Sequence, residues 1–240
     1  MKKVILGLII TLSAFAIFTG CPVSNKTIIR YQKMEEKVDH PTSVEELKEA
    51  ISKYEERIAD IQLAHQQVAI WYKMLGTRYI DAKMYGEAMK CFQKALETYP
   101  DNQNLYYWVG VCAGYMAHQA MDYSGSGSST TRMNYLKLAE DAYGRAIKID
   151  DRFVRALYGL SVIYVFELGE SDKAIPYLEK IMEIETKDFN AMFVLARAYY
   201  ENYEFDKAVK MYDKIISLTK AADIIRAAEE NKKQVLDASY

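Results

Sequence analysis

The feature that most constrains this chain is a small residue that returns in the same company. Ala88, Ala139, Ala174 and Ala208 each stand four residues before a large side chain: Phe92, Tyr143, Leu178 and Tyr212. Three residues further on come Ala95, Ala146, Ile181 and Ile215. Spacings of three and four put these positions on one face of an α-helix. A small residue beside a large one lets a neighbouring helix come close and locks it with a single knob. Ahead of each such helix lies a second helical pattern with its own small residue: Gly76, Gly110, Ser161 or Ala196. A bulkier side chain at these close-approach places would force the helices apart at about 1–3 kcal/mol.

Composition agrees with an all-α chain. Half of the 240 residues are apolar and about a quarter charged, with only four prolines and eleven glycines, which argues against an all-β protein. The net charge is −2, with acids and bases interspersed. That balance offers no basic face for nucleic acid.

The helical pairs recur with a period near that of a known repeat. "AIWYKMLGTRYIDAKMYGEAMKCFQKALETYPDN", from Ala69, is thirty-four residues of helix, turn and helix. Its landmarks are Tyr72, Leu75, Gly76 and Tyr79, then Tyr85, Ala88, Phe92, Ala95 and Pro100. It resembles a tetratricopeptide repeat closely. The marks return from Gln103 (Tyr106, Val109, Gly110, then Ala139, Tyr143, Ala146). They return again from Val154 (Leu157, Leu160, Ser161, Tyr164, then Ala174, Leu178, Ile181). A last copy runs from Phe189 (Met192, Leu195, Ala196, Tyr199, then Phe205, Ala208, Tyr212, Ile215). The second copy carries about seventeen extra residues between its helices, and the third one extra residue near Gly169. The helix-ending proline occurs only in the first copy. The resemblance covers residues 69–220 and implies an α-solenoid of about four repeats. It specifies a scaffold, not an activity.

The flanks fit a solenoid. Residues 42–66 read as an N-terminal helix opened by a Ser43/Glu46 capping box. Leu47, Ile51, Tyr54 and Ile58 form a stripe on it that is expected to pack on the first repeat. Residues 221–240 read as a C-terminal capping helix with Ile224, Ala228 and Val235 on one side.

Residues 1–20 read as a signal peptide. Lys2 and Lys3 precede an apolar run from Val4 to Phe18, and Thr19 and Gly20 follow. Cys21 after these small residues resembles the lipobox of bacterial lipoproteins, with Phe18 where an aliphatic usually opens the motif. That resemblance implies lipidation at Cys21, a tether over residues 21–41 and a cell-envelope location on a membrane anchor. Plain secretion and an uncleaved anchor are the alternatives. Cys91 and Cys112 lie among apolar neighbours in helical patterns and read as buried small hydrophobes. A disulfide between them is the other option in an exported protein.

Catalytic and metal chemistry have no set of residues to carry them. "YSGSGSSTT" over 123–131 lacks the lysine and the preceding strand of a phosphate-binding loop and reads as a flexible linker. His40, His65 and His118 are scattered, without a second ligand at helical spacing. The acids of "SVEELKEAISKYEERIAD" alternate with bases as on a solvated face. The expectation is no enzyme, no cofactor and no metal.

Helical period turns one set of residues toward the inner side that the first helices of this repeat family line. From the second copy onward that set is apolar and aromatic: Tyr107, Val111, Tyr115, Tyr158, Val162, Val165, Phe166, Phe193 and Tyr200, with Arg155 and Arg197 offering charge. Exposed patches of this composition mark binding surfaces. The expected partner is a protein or peptide of the cell envelope held in this groove. Two alternatives stay open. One is a solute-uptake accessory that takes a small apolar ligand or docks a solute-binding protein. The other is that the tether, the insertion or the C-terminal helix fills the groove. The carboxylate clamp of some family members is incomplete, because Thr77, Trp108 and Gly159 replace its expected polar residues. The insertion at 114–134 is expected to prolong the first helix of its repeat and is itself a candidate binding element.

Overall fold

The computed structural model describes residues 41–124 and 130–238, and the described residues are helical throughout, without a strand. The expected signal peptide, Cys21 and the expected tether up to residue 40 lie outside the described residues, as does the Gly/Ser stretch 125–129. The helices are α1 (Val44–Asp81), α2 (Tyr85–Leu96), α3 (Gln103–Ser124), α4 (Thr130–Ile149) and α5 (Val154–Val162). A π-helical segment, Ile163–Leu168, continues α5. Then follow α6 (Ser171–Ile184), α7 (Phe189–Glu201), α8 (Phe205–Leu218) and α9 (Ala222–Ala238). The chain forms two compact units, Met1–Gln62 and Leu63–Tyr240.

The first unit holds the start of α1. Its capping box forms: the Glu46 amide donates to Ser43 Oγ at 3.1 Å, and Glu46 Oε2 accepts from the Ser43 and Thr42 amides at 3.0 and 2.9 Å. These backbone donors hold the Glu46 carboxyl below its ordinary range. Two expectations are corrected here. No break separates an N-terminal helix from the first repeat, because α1 runs unbroken from Val44 to Asp81. No glycine or proline lies between Val44 and Leu75 to stop it. And the stripe is not packed away: Leu47, Ile51 and Ile58 are exposed.

In the second unit each helix from α3 onward packs mainly on its neighbours in sequence, the contact pattern of a solenoid. The small positions show why. A β-carbon added to Gly76 would stand 2.8 Å from the Phe92 ring. One added to Gly110 or to Gly159 would stand 2.7 Å from the Tyr143 ring. The aromatic knob of the second helix therefore lies directly on the backbone of the first. Ser161 fills the equivalent place in the third copy. Its hydroxyl is satisfied by donating to the Leu157 carbonyl at 2.8 Å, so it stays fully buried. Ala88, Ala139, Ala174 and Ala208 are all fully buried. Cys91 and Cys112 are buried free thiols. Burial pushes the Cys112 thiol up to about 12, so it stays protonated and packs as an apolar group.

The turns inside the first and fourth repeats share one geometry. Lys83 and Tyr203 have φ of 57° and 61°, and the next amides, Met84 and Glu204, reach back to the Tyr79 and Tyr199 carbonyls at 2.8 and 2.9 Å. This is a Schellman closure with a left-handed residue after the helix. In the third repeat the left-handed residue is Gly169, and the Glu170 amide reaches the Tyr164 carbonyl at 2.8 Å. Seven positions separate Gly76 from Lys83 and Ala196 from Tyr203, whereas eight separate Ser161 from Gly169. The extra residue is taken up in the π-helical segment, the usual outcome of a one-residue insertion in a helix. The larger insertion is absorbed as extra turns, since α3 and α4 run for 22 and 20 residues.

Substitutions separate close approach from helix propensity. Gly76→Ala should lower stability by about 1–3 kcal/mol, because Phe92 has nowhere to go. Gly144→Ala, where an added β-carbon meets nothing within 4 Å, should raise it by about 0.5–1 kcal/mol. Urea unfolding followed by circular dichroism reads both, and equal effects at the two sites would contradict this packing.

Candidate functional site

The first helices of the second, third and fourth repeats carry the eleven expected groove residues, and ten of them, all but Val165, line two pockets in the second unit. The first pocket, about 350 Å³, is lined by Tyr107, Val111, Tyr115, Arg155, Tyr158 and Val162. The second, about 210 Å³, is lined by Phe166, Phe193, Arg197 and Tyr200. The first repeat contributes to neither.

Tyr143 is a lining residue of the first pocket, between the backbones of Gly110 and Gly159. Gly114 leaves open space beside it, since an added β-carbon there meets nothing within 4 Å. Tyr115, 51% exposed, stacks on Tyr85 with ring centres 4.3 Å apart. Leu136, Ile163, His118 and Glu167 complete the lining. Arg132 donates to Glu167 Oε2 at 2.6 Å, an ion pair only 12% and 28% exposed. Its partial burial makes it a fixed element of the wall.

The π-helical segment stands between the two pockets in sequence and in lining. Glu167 lines the first pocket and Phe166, 56% exposed, the second. It also accounts for a correction. Val165, expected on the groove face, is buried, because the wider turn rotates the residues that follow out of α-helical phase.

The two arginines differ. Arg155 donates to the neutral Asn104 side chain at 2.6 Å, and its guanidinium lies 4.9 Å from the Tyr107 ring centre and 5.0 Å from that of Phe153. It is oriented by these contacts. Arg197 donates through Nε to Glu201 at 2.6 Å, and Glu201 also accepts from the Ser171 hydroxyl. Its charge is therefore balanced within its own helix.

Several lining residues were not read from the sequence. Asn231, Gln234 and Val235 of α9 line the second pocket, so the C-terminal helix supplies part of the wall as well as the cap. Glu167 is reached only through the π-helical phase. The one-residue insertion near Gly169 was the available signal. Among the described residues, no group of three His, Cys, Asp or Glu side chains could hold a metal ion. No described helix is long and apolar enough to cross a membrane.

Known proteins are similar to this chain in sequence and in fold. Tetratricopeptide repeat family models match residues 69–102 and 165–227. A TPR repeat-containing protein of Borreliella burgdorferi is 25% identical over 173 residues, 72% of this chain and 73% of that protein. Anaphase-promoting complex subunit 3 of Schizosaccharomyces pombe is 28% identical over 162 residues, 67% of this chain but only 22% of that protein. Among solved structures, YrrB, described as a TPR protein with an unusual peptide-binding site, aligns with TM-score 0.53 at 22% identity, covering 78% of this chain and 85% of that one. MamA aligns with TM-score 0.52 at 21% identity, covering 81% and 99%. The two matched segments are recognised as tetratricopeptide repeats, and the described residues have the all-α solenoid fold of such repeat structures.

The buried phenols give this region a pH signature. Burial raises Tyr143 above the ordinary phenol value, and burial together with hydrogen bonds to Glu140 and Glu179 raises Tyr164 and Tyr199. The folded state thus holds neutral phenols. Their contribution is fully present below the unfolded value of about 10 and is lost as pH rises through the higher folded values. Urea midpoints should stay level from about pH 7 to 8, begin to fall as pH passes the unfolded thiol value of about 8.5 because Cys112 is held protonated, and fall steeply above about 10. A midpoint unchanged at pH 11 would contradict their burial as neutral groups.

Proposed function

We propose that this protein is an exported, lipid-anchored scaffold that binds another envelope protein or a peptide segment in the groove formed by the first helices of its second to fourth repeats. The observation that carries the reading is the pair of aromatic-lined pockets, one bounded by Tyr107, Tyr115 and Tyr158 and the other by Phe166, Phe193 and Tyr200. Two pockets in succession, with Tyr115 and Phe166 more than half exposed at them, suit successive side chains of one bound segment. Aromatic anchors flanked by arginine are the composition of binding hot spots. Arg155, held by neutral Asn104, keeps a net positive charge for an acceptor on that segment. The first pocket lies at the small end of the range for a small-molecule site, roughly 300–1,000 Å³. A small apolar ligand, as in a solute-uptake accessory, is therefore the second reading.

Export and anchoring rest on the sequence. Lys2 and Lys3, the apolar run to Phe18, and Cys21 after Thr19 and Gly20 support a cleaved leader and a lipidated cysteine. Metabolic labelling with a radioactive fatty acid should mark the wild type and not Cys21→Ser. Equal labelling of both would contradict the anchor at that residue.

The groove is tested by crosslinked co-purification from the native envelope. Wild type is compared with Tyr158→Glu/Phe193→Glu after circular dichroism shows that the double variant keeps its helices. Both side chains are only partly buried, so the fold should survive. The expected result is a partner recovered with wild type and reduced at least tenfold with the variant, since hot-spot losses of about 2 kcal/mol or more exceed a factor of ten. Equal recovery would place binding elsewhere. No protein with either form, together with a retained small molecule, would favour the second reading.

A further inference from the structure

In the first unit, α1 presents a face whose spacing differs from that of the repeats. Val44, Leu47, Ile51, Tyr54, Ile58 and Ile61 follow one another at alternating intervals of three and four residues. This is a heptad seam with a period of 3.5. It extends for about 27 Å at 1.5 Å per residue. The five aliphatic members are all between 45% and 60% exposed. A continuous apolar face of this kind marks an interaction surface. A strict heptad is the pattern by which two helices wrap around each other, not the small-and-large pattern by which repeats stack.

The flanking charges select the occupant and its orientation. Lys48 and Glu55 occupy equivalent positions beside the seam, one heptad apart, and both are exposed. We propose that a second copy of this chain covers the face, its helix running antiparallel, with Ile51 opposite Tyr54 of the second copy. That register also sets Leu47 against Ile58 and Val44 against Ile61. It brings Lys48 beside Glu55 of the second copy, and two-fold symmetry makes the pair twice. A slip of one heptad in one direction would bring Glu55 against itself. A slip in the other would bring Lys48 against itself. In a parallel pair the flanking contacts would be Ala50 with Glu55 and Arg57 with Gln62, with no opposite charges. Complementary flanking charges are how coiled coils fix partner and register.

The test uses the full chain purified in detergent. Sedimentation velocity should show a reversible dimer. Lys48→Glu should raise its dissociation constant roughly tenfold, since two attractions become two repulsions. Lys48→Glu/Glu55→Lys should restore it. Under mild oxidation, differently tagged Ile51→Cys and Tyr54→Cys copies should crosslink when mixed, at least tenfold more than either alone. Circular dichroism checks that each variant keeps its helices. Several results would overturn the proposal. One is a monomer at every concentration, whether because residues 22–41 cover the face or because another protein does so in the envelope. Another is Ile51→Cys crosslinking to itself, which would mean a parallel pair. The last is failure of the charge reversal to restore the dimer.

Discussion

The contact on which the site depends is the Tyr143 ring lying on the backbones of Gly110 and Gly159. Gly110 belongs to the first helix of the second repeat and Gly159 to that of the third. One side chain therefore sets the separation of two successive repeats. A β-carbon at either glycine would stand 2.7 Å from the ring, well inside any tolerable contact, so the spacing is fixed by excluded volume. Because Tyr143 also lines the first pocket, the interaction that holds the repeats at their distance also shapes the cavity between them. Packing and site are not separable here, and a change in one is felt in the other.

The second constraint is phase. An α-helix repeats its faces every 3.6 residues, and a single added residue would ordinarily turn everything after it by about a quarter of a turn. The chain confines that rotation to Ile163–Leu168 and closes it with Gly169, whose φ of 68° suits glycine. The following helix then resumes the repeat with Ala174, Leu178 and Ile181 all fully buried. The consequence falls on the groove, where Phe166 and Glu167 face different pockets and Val165 turns inward.

How much of this was legible depended on whether it was local. The repeats were readable because Ala88, Phe92 and Ala95 and their counterparts encode contacts through helical period alone. The same period selected residues such as Tyr107, Tyr158 and Phe193, which the structure finds lining the pockets. The division of that surface into two pockets was not readable, because it follows from the geometry of the π-helical segment. Nor was the wall supplied by Asn231, Gln234 and Val235, which depends on where α9 comes to lie. The opening of α1 was misread for a different reason. Ile51 and Ile58 make an apolar stripe, but amphipathicity does not say which neighbour it meets, and both remain exposed.

A double-mutant cycle on Gly110 and Tyr143 measures the central contact most directly. Unfolding free energies are compared for wild type, Gly110→Ala, Tyr143→Ala and the pair. If the ring on the glycine sets the spacing, Gly110→Ala should cost about 1–3 kcal/mol beneath Tyr143. Once the ring is gone it should cost nothing or become slightly favourable, which gives a coupling energy above about 1 kcal/mol. Additive effects would contradict the account, because they would mean that α3 and α4 hold their distance without that contact.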